Sequence, residues 1–312
     1  MNQDILLVVT SRMGIYVEIP IRSTVDELWE KTQNPRLHQR WDLRFTTIEY
    51  LPREAEEPQR FLYSTRIGFG MKIEGNGEST GSRDGDHGIR TSSLKFWSGD
   101  RKSLIKAGSG YWKYVPTANA IRFSTWYDYE TRFGSLGKAI DKCLFRPLLG
   151  WATAWSFDRL RLWIECGIPP ETSRDRWLIY ALARGTTAFI WSYHGLVPKL
   201  LFRDRTELDL LGRIGTSPHN LNMAVTLAGV AEIAFAFLIV VLWRQAWLLW
   251  ATIILMLAGI PVVAATAPSY FAAAFNPLTL NISLAALAFI ALVAGRDLPT
   301  AKRCRRKPDN TT

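Results

Sequence analysis

The sequence of 312 residues predicts two different folds in one chain: an α+β domain, followed by an all-α bundle of four membrane-spanning helices. Apolar runs of membrane length occur after residue 176, whereas alternating β-type patterns occur before it. Charge divides in the same way, because residues 1–176 contain 26 Lys and Arg against 22 Asp and Glu, and residues 177–312 contain 12 against 6. The mean hydropathy of -0.00 is therefore the average of a polar part and an apolar part.

The first part begins with an alternating, Ile- and Val-rich strand pattern at 15–21. Thr24 and Glu27 then have the spacing of a helix capping box, and Pro35 separates this helix from a second short one at 36–40. Six further strands are predicted at 46–51, 60–67, 71–78, 88–96, 109–114 and 120–130.

A long helix is predicted over 134–166, with a bend near Pro147 and Gly150. Its apolar stripe is predicted to run through Leu148, Trp155 and Leu162. This order of elements predicts a curved antiparallel sheet that grips the long final helix. The space between sheet and helix is then the expected ligand cavity.

A motif near the start of this part, I-P-I-R-S-T-V-D-E-L-W at 19–29, is followed by Asn34-Pro35 and by Gln39-Arg40-Trp41-Asp42. It resembles the opening of the START/polyketide-cyclase-like helix-grip superfamily (SRPBCC), and the resemblance covers 13–166. Helix-grip domains bind hydrophobic molecules such as lipids, sterols or polyketides, and only some of them are catalytic. The resemblance therefore implies an SRPBCC-like ligand-binding domain over these residues.

Aromatic residues are the candidates for lining that cavity, although each of them could instead fill the core. The predicted lining is Trp41, Tyr63, Trp97, Trp112, Trp126 and Trp155. His38 and His87 have no partners at metal-ligand spacing, so we predict surface positions for both and no metal site. The glycine-rich segment 75–81 lies within a β pattern and lacks the G-x-G-x-x-G spacing, so it does not predict a phosphate loop. No catalytic residue is identified.

The second part contains four candidate spans, since about 20 mostly apolar residues cross a bilayer as a helix. The predicted spans are 177–201, 221–243, 246–267 and 271–295, with a linker at 167–176 before them. The first of them carries Arg184, His194 and Lys199, so three spans are the alternative.

The predicted topology follows from the basic residues of the tail at 296–312, which belong on the cytoplasmic side of the membrane. With four spans the N-terminal domain is cytoplasmic too, and residues 1–22 show no signal-peptide pattern. We therefore predict a multi-pass protein of the cytoplasmic (inner) membrane with both termini inside. The basic excess lies beside a span, where it attracts anionic lipid, so nucleic acid is not a predicted partner.

The membrane part resembles the DoxX-like family of four-helix membrane proteins over 177–295. The residues that carry the resemblance are Arg184, the segment H-G-L-V-P-K-L at 194–200, and Glu232. Ionisable residues in hydrocarbon are costly and mark candidate sites. The predicted intramembrane polar site consists of Arg184, His194, Lys199, Glu232 and Asn281, with Arg184 paired to Glu232 for packing or for function.

Three functions remain open from the sequence. The first is non-catalytic binding or transfer of a hydrophobic molecule at the membrane. The second is suggested by the resemblance, because some DoxX-type proteins are subunits of quinone-reducing oxidoreductases; here a quinone could lie between the spans, with electrons supplied by a membrane redox partner. The third is a structural membrane protein. No resident cofactor is predicted, since residues 177–295 contain no cysteine, and a homo-oligomer is a further possible assembly.

Overall fold

The computed structural model describes residues 14–54 and 57–308, which form two compact units. One unit comprises the chain up to Ser173 together with the segment from Pro299 onward, and the other comprises Arg174–Leu298. Several features named above lie outside the described residues: residues 1–13, where the predicted domain begins at Met13 and where a signal peptide would start, and residues 309–312 of the predicted tail.

The first unit contains a seven-stranded sheet with the strand order β1-β7-β6-β5-β4-β3-β2, in which all neighbours are antiparallel. Its strands are β1 (Ile15–Ile21), β2 (Thr47–Tyr50), β3 (Arg60–Ile67), β4 (Met71–Asp84), β5 (Arg90–Trp97), β6 (Ile105–Pro116) and β7 (Ile121–Thr131). Its helices are α1 (Val25–Gln33), α2 (Pro35–Trp41), α3 (Gly134–Ile140) and α4 (Arg146–Cys166), and a π-helical turn at Asp141–Phe145 joins the last two. The prediction of a helix-grip α+β domain is confirmed.

The two short helices start where the sequence signals place them. The Thr24 hydroxyl accepts a hydrogen bond from the backbone N–H of Glu27 at 3.2 Å, which satisfies one of the free N–H groups of the first turn. Asn34 caps α2 in the same way, because its side chain accepts from the N–H of Arg36 at 3.0 Å. The predicted break or bend near Pro147 and Gly150 corresponds to the π-helical turn at Asp141–Phe145, which directly precedes α4, and α4 itself continues through both residues.

Helix α4 packs on one face of the sheet through Ala154, Phe157 and Leu160, which are fully buried. The Phe157 ring lies 4.5 Å from that of Phe123 on β7. The predicted apolar stripe is wrong at Leu148, which is 52% exposed. The reason is that the buried face of the helix is shared by small and charged residues, which a count of large apolar residues does not detect.

The segment after the last membrane helix folds back into the first unit. Arg305 and Glu18 of β1 exchange two backbone hydrogen bonds of 2.9 Å. Cys304 is buried in the same core as Phe157, and its Sγ donates to the carbonyl of Ala154 at 3.1 Å. We call residues 299–308 the C-terminal clasp. Its arginines belong to a segment held by a folded domain, and are not a free basic tail.

The second unit is helical: α5 (Pro170–His194, whose first four residues belong to the first unit), a π-helical segment (Gly195–Leu201), α6 (Arg205–Arg213), α7 (Leu221–Val241), α8 (Trp247–Thr266) and α9 (Pro277–Ala294). Three helical segments are long and apolar enough to cross a membrane: Pro218–Val241, Trp247–Thr266 and Pro277–Ala294. The predicted first span is helical but is not among the three, because polar residues interrupt it. The predicted fourth span starts too early, since Pro268–Ala272 forms a separate 3-10 turn.

Candidate functional site

The space between α4 and the strands β1, β6 and β7 is filled by the chain's own aromatic rings. Trp41 is fully buried, with its ring 6.1 Å from the rings of both Trp112 and Phe157. Its indole N–H donates to the carbonyl of Lys31 at 2.9 Å. Two of the six predicted lining residues, Trp41 and Trp112, are therefore core residues.

At the β2–β4 end of the same sheet face, aromatic rings remain partly open. Cross-strand neighbours share a face, and the series Phe61, Gly77, Phe96, Gly108 and Tyr129 crosses five strands. Tyr129 lies in the core beside α4, so Phe61 faces the same side. We call this region the aromatic patch, and it consists of Phe45, Tyr50, Phe61 and Tyr63.

Glycines on β4 allow two rings of the aromatic patch to lie flat against the sheet. A Cβ added to Gly75 would come within 2.3 Å of the Tyr63 ring, and one added to Gly77 within 2.1 Å of the Phe61 ring. Burial raises the pKa of Tyr63 to about 12. The sequence signal for this arrangement is the alternation Phe61-x-Tyr63 opposite Gly75-x-Gly77. A comparison of the glycine-rich segment with phosphate loops alone does not reveal this alternation.

A cleft of about 470 Å³ opens on the other face of the sheet from the aromatic patch, because most of its lining shares the face of Asn76 and its cross-strand neighbour Trp97. Its lining includes Tyr63 and Gly75, together with the polar side chains of Thr47, Ser64, Glu74 and Asn76. This volume is within the range of about 300–1,000 Å³ that is usual for small-molecule sites. The cleft is therefore a polar recess separate from the rings of the aromatic patch.

A buried charged network lies between the filled core and the aromatic patch. Arg44 donates to both oxygens of Asp42, at 2.9 Å from Nε and 2.6 Å from Nη2, and His38 Nε2 lies 3.0 Å from Asp42 Oδ2. The His38 ring stacks on Trp41 at 5.0 Å and meets the edge of Phe45 at 5.2 Å. The predicted surface position of His38 is wrong. Trp41 and Asp42 follow it at helical spacing on α2, and the tertiary fold adds the Trp112 ring of β6 at 4.8 Å.

Electrostatics keep this network in one protonation state. Burial lowers the pKa of His38, and its hydrogen bond to Asp42 offsets only part of that effect. Burial raises the pKa of Asp42, but the guanidinium of Arg44 outweighs it and holds that pKa below the ordinary range. The network at neutral pH is therefore an ion pair beside an uncharged imidazole.

The other predicted lining residues do not face this space. Trp97 and Trp126 lie on the opposite face of the sheet, because their immediate neighbours in sequence, Phe96 and Tyr127, point toward α4. Trp126 stacks there on Tyr111 at 6.2 Å. Trp155 is buried on α4, with its ring 6.4 Å from that of Trp151.

In the helical unit, Arg184 binds the C-terminal end of α7. Its guanidinium is fully buried and donates to the carbonyls of Ile239 at 2.9 Å, Leu242 at 2.8 Å and Gln245 at 3.2 Å, and to the hydroxyl of Tyr180 at 3.1 Å. The predicted pairing of Arg184 with Glu232 is wrong. The last carbonyls of a helix have no partners within it and attract a cation.

Glu232 pairs instead with Lys199, at 3.2 Å, and Lys199 also binds Glu207 at 3.1 Å. Two glycines allow this approach, since a Cβ on Gly195 would lie 2.5 Å from the carbonyl oxygen of Gly229, and one on Gly229 would lie 2.7 Å from that of Gly195. The second carboxylate oxygen of Glu232 is buried without a hydrogen-bond partner.

The two remaining residues of the predicted intramembrane site lie near α5 and α9. His194 ends α5, is half-buried, and has its ring 6.1 Å from that of Tyr193. Asn281 lies on α9 against α8, where its Nδ2 would be 3.2 Å from a Cβ on Gly259. The predicted single polar site is thus divided among different contacts: the helix end at Arg184, the ion pairs of Lys199, and the α8–α9 contact of Asn281.

Comparison with known proteins agrees with both folds. The family model described as the DoxX-like family matches residues 188–289, which confirms the predicted DoxX-like resemblance. The N-terminal region matches START- and polyketide-cyclase-like structures. A STAR-related lipid transfer protein from Xanthomonas axonopodis is 13% identical, with 49% of this chain and 85% of that chain covered at a TM-score of 0.38. The di-domain ARO/CYC StfQ of the steffimycin biosynthetic pathway is 15% identical, with 49% and 50% covered at 0.39.

A full-length relative is also found. The uncharacterized membrane protein YndG of Bacillus subtilis (strain 168) is 39% identical over 294 residues, which cover 94% of this chain and 97% of that protein. The chain therefore belongs to the same family of membrane proteins as YndG, with a DoxX-like helical domain after a helix-grip domain.

Proposed function

We propose that the helix-grip domain binds a hydrophobic small molecule, such as a lipid, isoprenoid or polyketide-like compound, and holds or transfers it at the membrane without catalysis. The observation that carries this proposal is the partly open aromatic patch on the sheet face that packs against α4. Aromatic rings that are only half-buried on an otherwise filled sheet face offer contact area to an apolar ligand.

Native mass spectrometry of the full-length protein, released from nanodiscs made with its own lipids, tests this function. We expect a bound apolar molecule on the wild-type chain, and loss of most of it in the double variant Phe61→Ala/Tyr63→Ala. Trp97→Ala is the matched control, because Trp97 is an aromatic residue of the same sheet on the other face. A wild-type chain without any bound molecule, or equal occupancy in the double variant, would contradict the proposal.

The alternative is an accessory subunit of a quinone-linked oxidoreductase, and Lys199 in the helical unit is its best donor for a quinone carbonyl. Lys199 already donates to Glu207 at 3.1 Å and lies 3.2 Å from Glu232. These two contacts leave one N–H of the ammonium for a quinone carbonyl. The aromatic patch offers several partly open rings to an apolar ligand, so ligand binding by the N-terminal domain is the better supported function.

For the topology we propose four crossings, with the N-terminal domain and the clasp both cytoplasmic. The clasp is part of the first unit, through the Glu18–Arg305 bridge and buried Cys304. A segment packed into a domain must lie on that domain's side of the membrane, so the chain between residues 173 and 299 crosses an even number of times. Helices α7, α8 and α9 supply three crossings, and α5 supplies the fourth.

Contacts within the helical unit support α5 as a span. It runs alongside α7 in the opposite direction, with Arg184 near Ile239 and Gly195 near Gly229. Labelling of intact cells with an impermeant maleimide tests the count, using single exposed cysteines in a chain without native ones. We expect Ser269→Cys to react and Gln245→Cys to react only after the cells are opened. The reverse pattern, or equal labelling of both, would exclude this topology.

A further inference from the structure

A continuous apolar surface runs along α3, the π-helical turn and the start of α4. Its members are 40–66% exposed, although large apolar side chains in a folded domain are usually covered. They are Phe133, Leu136, Ile140, Leu144, Leu148 and Trp151. We call this surface the exposed helix face.

The spacing of these residues places them on one side of the helix. Leu136 and Ile140 are four residues apart on α3, and Leu148 and Trp151 are three apart on α4. Leu144 lies in the π-helical turn between the two helices, and Phe133 directly precedes α3. Spacings of three and four residues keep side chains on one side of an α-helix. The opposite side faces the domain, where Gly137 and Asp141 are buried. The exposed helix face is thus a regular amphipathic surface and not a set of scattered apolar residues.

Charge along this surface has one sign. Lys138 and Lys142 are exposed within it. The single acidic residue of the segment 133–151, Asp141, is buried and bound by Arg146 at 2.8 Å and by the Tyr129 hydroxyl at 2.6 Å. Apolar residues and lysines without exposed carboxylates are the pattern of a helix that lies in the headgroup region of a membrane.

A second feature beside the exposed helix face is also basic. A cleft of about 270 Å³ is lined by Lys142, Arg146, Pro147 and Arg306, among others. Lys142 belongs to both features, so a basic recess adjoins the apolar surface. This combination fits a lipid with an anionic headgroup, whose chain side meets the apolar residues while its headgroup meets the basic ones.

We propose that the exposed helix face docks the N-terminal domain onto the surface of an anionic bilayer, with its apolar side chains inserted among the lipids. The occupant is the bilayer because this chain is an integral membrane protein, so its domain is tethered within reach of that surface. The docking is independent of the proposed ligand, since none of its residues lies in the aromatic patch.

The native cysteines provide the test in the full-length protein. Cys143 lies between Ile140 and Leu144 on the exposed helix face, Cys166 is exposed at the end of α4, and Cys304 is buried. A nitroxide on Cys143, with Cys166→Ser, is compared with a nitroxide on Cys166, with Cys143→Ser, in nanodiscs that contain phosphatidylglycerol. Power-saturation EPR then compares collisions with oxygen, which enriches in lipid, and with a water-soluble nickel chelate.

We expect the Cys143 label to favour oxygen and the Cys166 label to favour nickel. The double variant Lys138→Glu/Lys142→Glu should move the Cys143 label into water, whereas Lys95→Glu/Lys113→Glu, at exposed lysines of β5 and β6, should not. A Cys143 label as open to nickel as the Cys166 label would overturn the proposal. So would a label shielded from both reagents, because that result indicates cover by protein.

Discussion

Buried arginines in the two units are stabilised either by acidic side chains or by backbone carbonyls. In the helix-grip domain two buried arginines have acidic side-chain partners, Arg44 with Asp42 at 2.6 Å and Arg161 with Asp158 at 2.7 Å. A third, Arg159, donates to the backbone carbonyl of Pro170 at 2.8 Å. In the helical unit Arg184 binds three backbone carbonyls at the end of α7 and no carboxylate among its recorded contacts. A side-chain partner can be mutated together with its arginine, but a helix end cannot be removed.

The largest effect is expected where the partners are backbone groups. Replacing Arg184 with Leu removes a donor from the carbonyls of Ile239, Leu242 and Gln245, of which Leu242 keeps the backbone N–H of Gln245. Each buried unsatisfied group costs about 1–3 kcal/mol, so we expect a loss of roughly 4 kcal/mol from the free energy of unfolding. Thermal or denaturant unfolding in nanodiscs measures this change. Arg296→Leu, at an exposed arginine, is the control, and equal stability of the two variants would remove the contrast between the two kinds of partner.

In the helix-grip domain we expect a smaller decrease in the free energy of unfolding, which a second mutation can reverse. Asp42→Asn leaves the buried guanidinium of Arg44 without its counter-ion, and breaking such a pair costs about 3 kcal/mol. The double variant Asp42→Asn/Arg44→Met should recover most of that loss, because the uncompensated charge is gone. The same unfolding assay measures both. If the double variant is as unstable as the single one, the ion pair is not the source of the loss.

The glycines of the two units also differ in what packs against them. In the sheet, glycines at Gly75 and Gly77 accept aromatic rings, whereas Gly195 and Gly229 accept each other's backbone. Gly195→Ala would place a Cβ 2.5 Å from a carbonyl oxygen, and such overpacking costs about 1–3 kcal/mol. Gly185→Ala, in open space on the same helix, should instead stabilise by up to about 1 kcal/mol. Destabilisation of both variants to the same extent would contradict a specific crossing at Gly195.

The fold was largely predictable from local patterns, whereas the partners within the candidate sites were not. Alternation predicted all seven strands, and apolar runs predicted α7, α8 and α9, because each signal is contained in one segment. The face of Trp97 depends on its strand register with Asn76 and Ala107. The partners of Arg184 are carbonyls, which no residue type reveals, and the clasp at Cys304 contacts residues far away in sequence.

The smallest expected effect is the pH dependence of the stability of the helix-grip domain. The folded domain lowers the pKa of His38, so the folded state binds a proton less readily than the unfolded chain does. The contribution of His38 to the free energy of unfolding is therefore complete above the histidine pKa of the unfolded chain, 6.5, and it decreases as the pH falls below that value. We expect the melting temperature of the helix-grip domain in the full-length protein to decrease between pH 7 and pH 5 by more in the wild type than in His38→Gln. The variant His87→Gln, at an exposed histidine, should behave as the wild type does. A pH response that persists unchanged in His38→Gln would mean that other groups cause it, and that the uncharged imidazole between Trp41 and Phe45 does not determine the acid stability of this domain.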